Sequence, residues 1–346
     1  MKKIIAMLLV LVMSLGLVAC GSNASSGNAN SGTANTAAAK TEAAKTENVK
    51  AYPDKQITLI CPLAAGGGSD TISRLFAAAM EKELGVSVIV ENKPGAGAGI
   101  GLEAIAAAEN DGYTIGYIPA EVTTVEAMGN ATVTPEKYEY ICTAMKINAL
   151  VCVTADSEWQ SLEDLIAAAK EKPGEVTIGT AGVGNAYELG LRAMLKEAGV
   201  DVNIVNFSGG TAEAITAMMG GNVQCCTAGT AEAISYLNSG QFRALCNLAS
   251  SRSDLIADVP TATELGYACN GGSWGAFAAP AGTSDDVMKV LRDAAQKVLN
   301  SEDFKATLVE RGFDEYNEDG AGFKAAAMEM YKSNSDIIKE FGLSAN

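Results

Sequence analysis

Strand-like and helix-like segments alternate along this chain from Gln56 onward, and the turns that join them are rich in glycine. The run Gln56–Cys61 has the β-branched and aliphatic residues of a buried strand. After a turn at 64–69, apolar residues recur at helical spacing over Asp70–Leu84, until Gly85 ends the helix. Because strands that alternate with helices lie parallel and are joined by crossing helices, the pattern predicts an α/β fold. Further strands are predicted at 86–90 and 113–118, with a helix to about residue 108 between them.

A second alternating series follows, and the chain ends in three predicted helices. The C-terminal elements fit better on the first series than on the second, so we expect two α/β lobes with the chain crossing between them twice. The first lobe is predicted to comprise residues 51–154 and 271–346, and the second lobe residues 155–270. These later elements are predicted as strands at 149–153, 176–179, 202–207, 223–227, 243–248 and 274–279, and helices at 161–170, about 185–198, 211–219, 230–238, about 284–300, 303–312 and 320–341.

Residues 1–19 have the features of an export signal. Met1-Lys2-Lys3 is basic, and the apolar run Ile4–Leu17 is too short to span a bilayer. The next residues, Leu17-Val18-Ala19-Cys20-Gly21, resemble the lipobox of bacterial lipoproteins, where cleavage precedes the cysteine and the cysteine is acylated. We therefore expect a lipoprotein signal peptide at 1–19, lipidation at Cys20 and stable attachment to a membrane through several acyl chains. An ordinary secretory signal with a cysteine near its end is the alternative.

Residues 20–50 are predicted to be a lipid-anchored, flexible tether. The segment is built from small, polar and charged residues, and Val49 is its only bulky apolar residue. Such a segment cannot bury enough surface to offset the entropy lost on ordering.

The chain contains no histidine, which excludes Ser-His-Asp and Cys-His catalysis and every His-ligated metal site. Its 25 Lys and Arg against 41 Asp and Glu give a net charge of −16. This charge argues against a nucleic-acid partner, because phosphate contacts need clustered basic residues. The glycines at 95–99 do not match G-x-G-x-x-G, and the phosphate-binding pattern G-x-x-x-x-G-K-[ST] does not occur, so no nucleotide, metal or other cofactor is predicted.

Seven cysteines follow Cys20, at positions 61, 142, 152, 225, 226, 246 and 269, and none forms a C-x-x-C pair. An odd number cannot all pair within the chain. Cys61, Cys152, Cys225 and Cys226 lie in strand-like runs, so we interpret them as small buried apolar side chains. Disulfide or metal binding is the alternative.

Four strand-to-helix turns are rich in small residues, and they point to a ligand site. The carboxyl edge of an open α/β sheet is where ligands bind. A helix start there presents unpaired N–H groups and a partial positive charge, and glycine lets a ligand approach this backbone. Such turns suit a carboxylate without any basic side chain; ordinary loop chemistry is the alternative. The four turns are 64–70, 94–99, 180–185 and 207–210.

An ordered series of short motifs resembles the substrate-binding proteins of tripartite tricarboxylate transporters, also called the Bug family. The resemblance covers about residues 52–343. Its motifs are Tyr52-Pro53-Asp54-Lys55, Ala65-Gly66-Gly67-Gly68-Ser69-Asp70 with Arg74, Val90-Glu91-Asn92-Lys93-Pro94-Gly95-Ala96-Gly97, Asp111-Gly112-Tyr113-Thr114, Leu162-Glu163-Asp164-Leu165, Pro173-Gly174, Gly182-Val183-Gly184, Gly220-Gly221, Val259 to Gly266, Trp274-Gly275 and Ala279-Pro280-Ala281-Gly282-Thr283.

The resemblance implies a two-lobed periplasmic-binding-protein-like fold (type II), each lobe a mainly parallel sheet flanked by helices, with two hinge crossings. It implies an extracytoplasmic receptor that binds a small carboxylic acid between its lobes, mainly through backbone groups and waters. The receptor would deliver this solute to a permease of two membrane subunits. The implied ligand contacts are Ala65, Gly66, Gly67, Gly68, Ser69 and Asp70 in the first lobe, and Thr180, Ala181, Gly182, Gly184, Asn185, Phe207, Ser208, Gly209 and Thr227 in the second.

The chain departs from the family pattern at three places. Glu188 stands where many members have His. Phe207-Ser208-Gly209 stands where Tyr-Lys-Gly is common, and Ala228 stands where an Asp often follows the strand at the cleft. Glu188 would either face the cleft and accept a cationic group, such as an amine beside a carboxylate, or lie solvated on its helix. The ligand is therefore expected to be a small organic acid or an amphoteric compound.

Five further side chains have alternative interpretations. Asp70 would contact ligand, order water or cap its helix. Arg74 is expected to pair with acids or pack, with ligand binding as the alternative. Trp274 would pack in the core or hinge or stack on ligand. Glu121 and Glu126 would lie near the end of the third strand or reach the cleft.

We therefore predict a monomeric, lipid-anchored solute-binding protein at the outer face of the cytoplasmic membrane or in the periplasm, without catalytic activity. A ligand-sensing lipoprotein that acts with a signalling partner, or an enzyme that works without histidine, are the alternatives.

Overall fold

The computed structural model describes residues 52–207 and 210–344, so the predicted signal peptide, Cys20 and the tether lie outside the described residues. The strands are β1 (Ile57–Cys61), β2 (Val88–Asn92), β3 (Thr114–Pro119), β4 (Tyr138–Thr154), β5 (Thr177–Ala181), β6 (Asn203–Phe207), β7 (Cys225–Gly229), β8 (Phe242–Asn247), β9 (Gly272–Pro280) and β10 (Asp314–Glu315). The helices are α1 (Gly68–Leu84), α2 (Gly99–Ala106), α3 (Leu162–Glu171), α4 (Ala186–Ala198), α5 (Thr211–Met219), α6 (Thr230–Asn238), α7 (Asp285–Leu299), α8 (Glu302–Glu310) and α9 (Gly320–Glu340). Short 3₁₀ helices occupy Ala120–Thr123, Pro135–Lys137 and Asp254–Ile256.

The strands form one continuous sheet in the order β2-β1-β3-β9-β4-β7-β5-β6, and β8 and β10 pair with β4. In the first lobe, β1 pairs in parallel with β2 and β3, and β9 joins β3 to β4 through antiparallel ladders. In the second lobe, β5 pairs in parallel with β6 and β7, while β7 and β8 run antiparallel to β4. The α/β class and the two parallel sets that the alternation predicts are therefore confirmed.

The long strand β4 is the element that sequence reasoning most underestimated. The prediction covered only residues 149–153, whereas β4 spans Tyr138–Thr154. Its residues are buried along nearly the whole length, so the alternation of polar and apolar residues is lost. Its register against β9 also shifts between Tyr140 and Cys142 and again between Thr143 and Met145.

Strand β4 contributes to the cores of both lobes. Met145 packs with the first lobe, whereas Ala149, Val151 and Val153 pack with the second. The lobe boundaries stay a prediction, but this packing favours a first crossing inside β4 near Asn148 rather than after Thr154.

Glycines allow the two crossing segments to lie close together. Asn148 of β4 is paired with Gly272 of β9. Gly272 has a φ of 141°, and a Cβ there would lie 2.7 Å from the carbonyl oxygen of Ile147. Gly190 of α4 packs directly on Gly271, where a Cβ would collide with the neighbouring backbone. Helix α4 of the second lobe is thereby seated against the second crossing.

The C-terminal helices pack mainly on the first lobe, as the element order predicted. Phe323 of α9 makes edge-to-face contacts with Tyr140 and Trp274, with ring centroids 5.3 and 4.7 Å apart. The C-terminal end of α9 also reaches the second lobe, where Glu340 pairs with Lys196 at 2.7 Å.

Each of the seven cysteines in the described part of the chain is free, and all but the half-buried Cys269 are buried. Burial raises the pKa of Cys226 to about 12, so this thiol stays protonated at neutral pH. The predicted burial of Cys61, Cys152, Cys225 and Cys226 is confirmed.

No helix among the described residues has the length and apolar character needed to cross a membrane.

Candidate functional site

The turn between β1 and α1 presents bare backbone, as its glycines predict. Helix α1 begins at Gly68, and no described side chain caps its N-terminus at Gly67. Gly66 has a φ of 84°, and a Cβ there would meet nothing within 4 Å among the described atoms. A Cβ on Gly67 would meet only the Ala64 carbonyl oxygen of the same turn, at 3.5 Å. The uncapped N–H groups and the helix dipole make this turn suitable for a carboxylate.

Asp70 shapes this first-lobe turn rather than capping α1. Its Oδ2 accepts hydrogen bonds from the Gly66 amide at 2.9 Å and from Arg74 Nε at 3.1 Å. Its Oδ1 accepts one from Asn92 Nδ2 at 2.9 Å. Burial opposes its ionisation, but the bonds from Arg74, Gly66 and Asn92 lower the pKa of Asp70. The capping interpretation is therefore wrong, and the expected pairing of Arg74 with an acid is confirmed.

The turn between β5 and α4 in the second lobe is built in the same way around Glu188. Glu188 Oε2 accepts a hydrogen bond from the Gly184 amide at 2.6 Å. Its Oε1 accepts bonds from Arg192 Nη2 at 2.6 Å and Nε at 2.9 Å. Glu188 is 0% exposed. Both interpretations from the sequence are wrong, because Glu188 is neither solvated nor free to receive a cationic ligand.

Two further predicted contacts, Thr180 and Asn185, also take part in the second-lobe turn's own hydrogen bonds. Asn185 caps α4 by accepting from the amides of Tyr187 and Glu188, and its Nδ2 donates to the carbonyls of Ala181 and Gly182. Thr180 Oγ1 donates to Asn206 Oδ1 at 2.7 Å.

The same turn has one open glycine and one that touches the first lobe. Gly182 is open, since a Cβ on it would meet no described atom within 4 Å. A Cβ on Gly184 would lie 2.7 Å from Met128 Sδ, so the second-lobe turn lies against the first lobe here.

The glycine-rich turn after β2 does not present open backbone, and its interpretation as a ligand turn is wrong. A Cβ on Gly97 would lie 3.1 Å from Asn130 Nδ2, and one on Gly99 would lie 2.8 Å from Ala131 Cβ. Gly101 packs directly on Pro62. These glycines allow close packing of neighbouring segments, which their sequence spacing does not distinguish from ligand access.

The turn after β6 includes Ser208 and Gly209, which lie outside the described residues. The flanking Phe207 ends β6.

The end of β7 carries polar groups that lack partners. Thr227 is 0% exposed, and its Oγ1 has no hydrogen-bond partner in the described structure. Glu232, in the first turn of α6, has a buried Oε2 that likewise lacks a partner among the described residues. A Cβ on Gly229 would collide with this oxygen and with the Tyr187 hydroxyl, so the three residues are in contact range. The sequence analysis missed Glu232 and Tyr187; the position of Glu232 just after a strand-to-helix junction was the available signal.

Glu121 approaches the same region from the first lobe. It follows β3 in the 3₁₀ helix Ala120–Thr123, and its Oε2 is buried without a partner in the described part of the chain. Burial raises the pKa of Tyr187, and the charges of Glu232 and Glu121 raise it further. Burial also raises the pKa of Tyr117, where Ser69 opposes the rise and Glu121 adds to it. Glu121 is therefore within electrostatic range of both Tyr117 and Tyr187. Glu126, by contrast, is exposed and accepts a hydrogen bond from Tyr331 Oη at 2.8 Å.

The two lobes touch beside this region through the segment 312–314. A Cβ on Gly68 would lie 3.2 Å from the Phe313 ring, and Thr230 Oγ1 donates to the Gly312 carbonyl at 3.2 Å. Asp314 accepts hydrogen bonds at 2.7 Å from Ser253 Oγ and from Asn148 Nδ2. The starts of α1 and α6 are thus brought to the same inter-lobe rim.

A cavity of about 460 Å³ lies on the α9 side of the crossing strands, and Ile147, Asn148, Gly272, Trp274 and Met330 are among its lining residues. None of the described residues in the ligand-contact set implied by the family resemblance lines it. Trp274 packs against Phe323 and is 6% exposed, so its role is mainly to pack in the core.

Within the described residues, no group of three or more Cys, Asp and Glu side chains could hold a metal ion.

Two α/β lobes are joined by two crossing strands, and the uncapped N-terminus of α1 lies at the rim where they meet. This arrangement defines a two-lobed solute-binding protein of the periplasmic type. The chain belongs to the TctC family, described as "Tripartite tricarboxylate transporter family receptor". The model of this family matches residues 72–343. This is a family of extracytoplasmic solute receptors and not of enzymes, so the predicted family, fold and absence of catalysis are confirmed.

Known proteins similar to this chain support the assignment. Protein BugT of Bordetella pertussis is 30% identical over 257 residues, covering 72% of this chain and 78% of that protein. The crystal structure of a TctC solute-binding protein from Polaromonas has a TM-score of 0.78 and 29% identity, covering 84% of this chain and 99% of that one. MatC from Rhodopseudomonas palustris, solved with bound malate, has a TM-score of 0.66 and 24% identity, covering 83% of this chain and all of that one (100%).

Proposed function

We propose that this chain captures a small, carboxylate-bearing solute between its two lobes and delivers it to a membrane permease of two subunits. The observation that carries the proposal is the bare backbone at Gly67 before the uncapped α1, at a rim where the lobes meet. A helix N-terminus of this kind binds a carboxylate through N–H groups and its dipole. The malate bound by MatC is consistent with this ligand chemistry.

The predicted ligand contacts are revised in this proposal. The Gly66 and Gly184 amides already donate to Asp70 and Glu188, so they hold the two turns in shape. The contacts proposed for the ligand are therefore the backbone of Ala65, Gly67, Gly68 and Ser69 in the first lobe. In the second lobe they are Ala181, Gly182, Phe207, Ser208, Gly209 and Thr227.

Closure of the lobes around the solute is the proposed signal to the permease. A ligand favours closure only through its greater affinity for the closed state. Attachment of Cys20 to the outer face of the cytoplasmic membrane by lipid would keep the receptor near its permease, and a monomer is sufficient for this role.

A calorimetric titration of the purified chain with a panel of mono-, di- and tricarboxylates and amino acids tests capture. We expect saturable binding of at least one carboxylate, and a ligand at 100 times its dissociation constant adds about 2.7 kcal/mol of stability. Absence of binding across the panel would overturn the proposal. Delivery is tested by uptake of the bound solute into cells with and without the gene for this chain.

A further inference from the structure

We infer that Cys152 and Cys226 form a disulfide bond when this chain folds in an oxidising compartment, and that the bond stabilises the second lobe. The inference does not depend on which solute the chain binds, because it concerns the pairing of β4 with β7. The oxidant is a disulfide carried by another molecule, with which the two thiols exchange.

The two cysteines face each other directly across neighbouring strands. In the antiparallel ladder of β4 and β7, Cys152 is paired with Cys226. Residues paired in this way have Cα atoms about 4.5–5.5 Å apart, and disulfides join residues whose Cα atoms are about 4.4–6.8 Å apart. The backbone separation of this pair therefore already suits a disulfide bond.

The side chains of both cysteines also point to the same side of the sheet. They pack in one apolar cluster with Leu150, Met218 and Ala228, and both are 0% exposed. Burial raises the pKa of Cys152, and Cys226 is the largest of the further causes of this rise. The two thiols therefore share one apolar environment.

The neighbouring cysteines are less suitable partners. Because Cys225 precedes Cys226 in β7, its side chain points to the opposite face, where it packs in the same cluster as Cys246. Strand β4 lies between β7 and β8, so Cys225 and Cys246 are separated by two strand spacings, about 9–10 Å. Cys269 lies outside the strands, so no ladder aligns it with Cys246.

The location of the family supplies oxidising conditions. TctC-family receptors are extracytoplasmic, and disulfides form and persist outside the cytoplasm. In the folded chain, burial raises the pKa of Cys226 to about 12, and only the thiolate form of a cysteine attacks a disulfide. The bond therefore forms during folding, before β4 and β7 are fully buried.

The chemical step is two successive thiol–disulfide exchanges. The thiolate of one cysteine attacks the disulfide of the oxidant, which forms a mixed disulfide and releases one thiolate of the oxidant. The thiolate of the other cysteine then attacks the protein sulfur of the mixed disulfide and releases the second thiolate. Cys152 and Cys226 together lose two protons and two electrons, and the oxidant is reduced to two thiols.

The bond would stabilise the second lobe without restricting closure. Both cysteines lie in the core of the second lobe, so the bond does not join the two lobes. A disulfide stabilises mainly by constraining the unfolded chain.

Peptide mapping of the protein exported into an oxidising periplasm tests whether the bond forms. Free thiols are blocked with N-ethylmaleimide under denaturing conditions, with and without prior reduction by dithiothreitol. We expect a linked peptide pair that contains Cys152 and Cys226 before reduction and is lost after it. Alkylation of both cysteines without reduction, or a bond from either of them to another cysteine, overturns the inference.

Urea denaturation of the same exported protein, with and without dithiothreitol, tests the stabilising effect. We expect dithiothreitol to lower the unfolding midpoint of the parent chain by about 1 M. Cys226→Ala should lose this difference. Cys225→Ala is the matched control, because Cys225 is the adjacent residue and is also 0% exposed, and it should keep the difference.

Each variant is compared with itself under the two conditions, so the cost of the substitution does not enter the comparison. A parent midpoint that dithiothreitol leaves unchanged overturns the stabilising role of the bond. A difference that survives in Cys226→Ala does the same.

Discussion

Asp70 and Glu188 hold equivalent positions in the two lobes: each accepts the amide hydrogen of the glycine four residues earlier and pairs with the arginine four residues later. An asparagine on the neighbouring parallel strand, Asn92 in one lobe and Asn206 in the other, donates to each carboxylate. The two facing turns thus share one internal scaffold. A ligand held between them needs no basic side chain from either turn.

The first prediction follows from the burial of the Glu188–Arg192 pair. Glu188 is 0% exposed and the Arg192 side chain only 17% exposed, so Arg192→Met leaves a buried charge without its partner. Removing one member of a buried ion pair costs about 3–5 kcal/mol. We expect a loss of this size in the free energy of unfolding, measured by urea denaturation.

Arg74→Met provides the control for this comparison. The Arg74 side chain is 51% exposed, and Asp70 keeps its bonds from Gly66 and Asn92. Exposed ion pairs contribute about 0–1 kcal/mol, so we expect a much smaller loss. Equal losses in the two variants would contradict the assignment of different burial to the two pairs.

The second prediction concerns the pH dependence of the ligand-free protein. Burial raises the pKa of Glu232 above its ordinary value of 4.5, and burial does the same for Glu121. The folded chain then binds these protons more tightly than the unfolded chain. Their contribution to stability is therefore fully present below the ordinary pKa and is lost as the pH rises through the raised folded-state pKa.

Glu232→Gln should remove the part of this pH-dependent loss of stability that comes from Glu232. We expect the variant without ligand to melt above the parent chain at pH 7.5, by about 2–4 °C for each kcal/mol regained, and the difference to shrink toward pH 4. Tyr187 lies beside Glu232, and Glu121 keeps its own raised pKa in the variant, so part of the pH dependence persists. A melting difference that is the same at both pH values would contradict the raised pKa.

Much of the fold could be predicted from local patterns. Helices α5 and α6 have the predicted bounds, Thr211–Met219 and Thr230–Asn238, because a glycine precedes each helix and a small or polar residue follows it. Strand β4 could not be predicted in full, because its burial in both lobes removes the alternation on which strand prediction depends.

The candidate site was only partly predictable for a related reason. The positions of the turns follow from strand order, but whether a turn is open depends on distant segments, such as Asn130 beside Gly97. The Glu188–Arg192 spacing of four residues was visible in the sequence as a helical ion pair. Its complete burial depends on how α4 packs, which no local pattern reports.

The third prediction concerns the contact between Ser253 of the second lobe and Asp314 of the first. Ser253 Oγ donates to Asp314 Oδ1 at 2.7 Å, and both residues are buried. Ser253→Ala leaves that oxygen short of a donor, at a cost of about 1–3 kcal/mol. Because the bond joins the lobes, we expect weaker solute binding, by about 10-fold for each 1.4 kcal/mol. Calorimetry measures the affinity; unchanged affinity together with lowered stability would mean that the contact persists when the lobes open.

The fourth prediction tests the bare backbone at the start of α1. Gly67 has φ −80° and ψ 176°, an extended conformation that valine adopts readily, and a Cβ there meets only the Ala64 carbonyl at 3.5 Å. Gly67→Val should therefore fold normally but fill the space proposed for the ligand carboxylate. We expect at least about a 100-fold loss of affinity, or about 3 kcal/mol, in calorimetry, with a melting temperature close to that of the parent. Gly322→Val is the control, because Gly322 is exposed on α9 and a Cβ there meets no described atom within 4 Å. Normal affinity in Gly67→Val would remove the role of this backbone in binding, since no other change in the variant could compensate for a blocked turn.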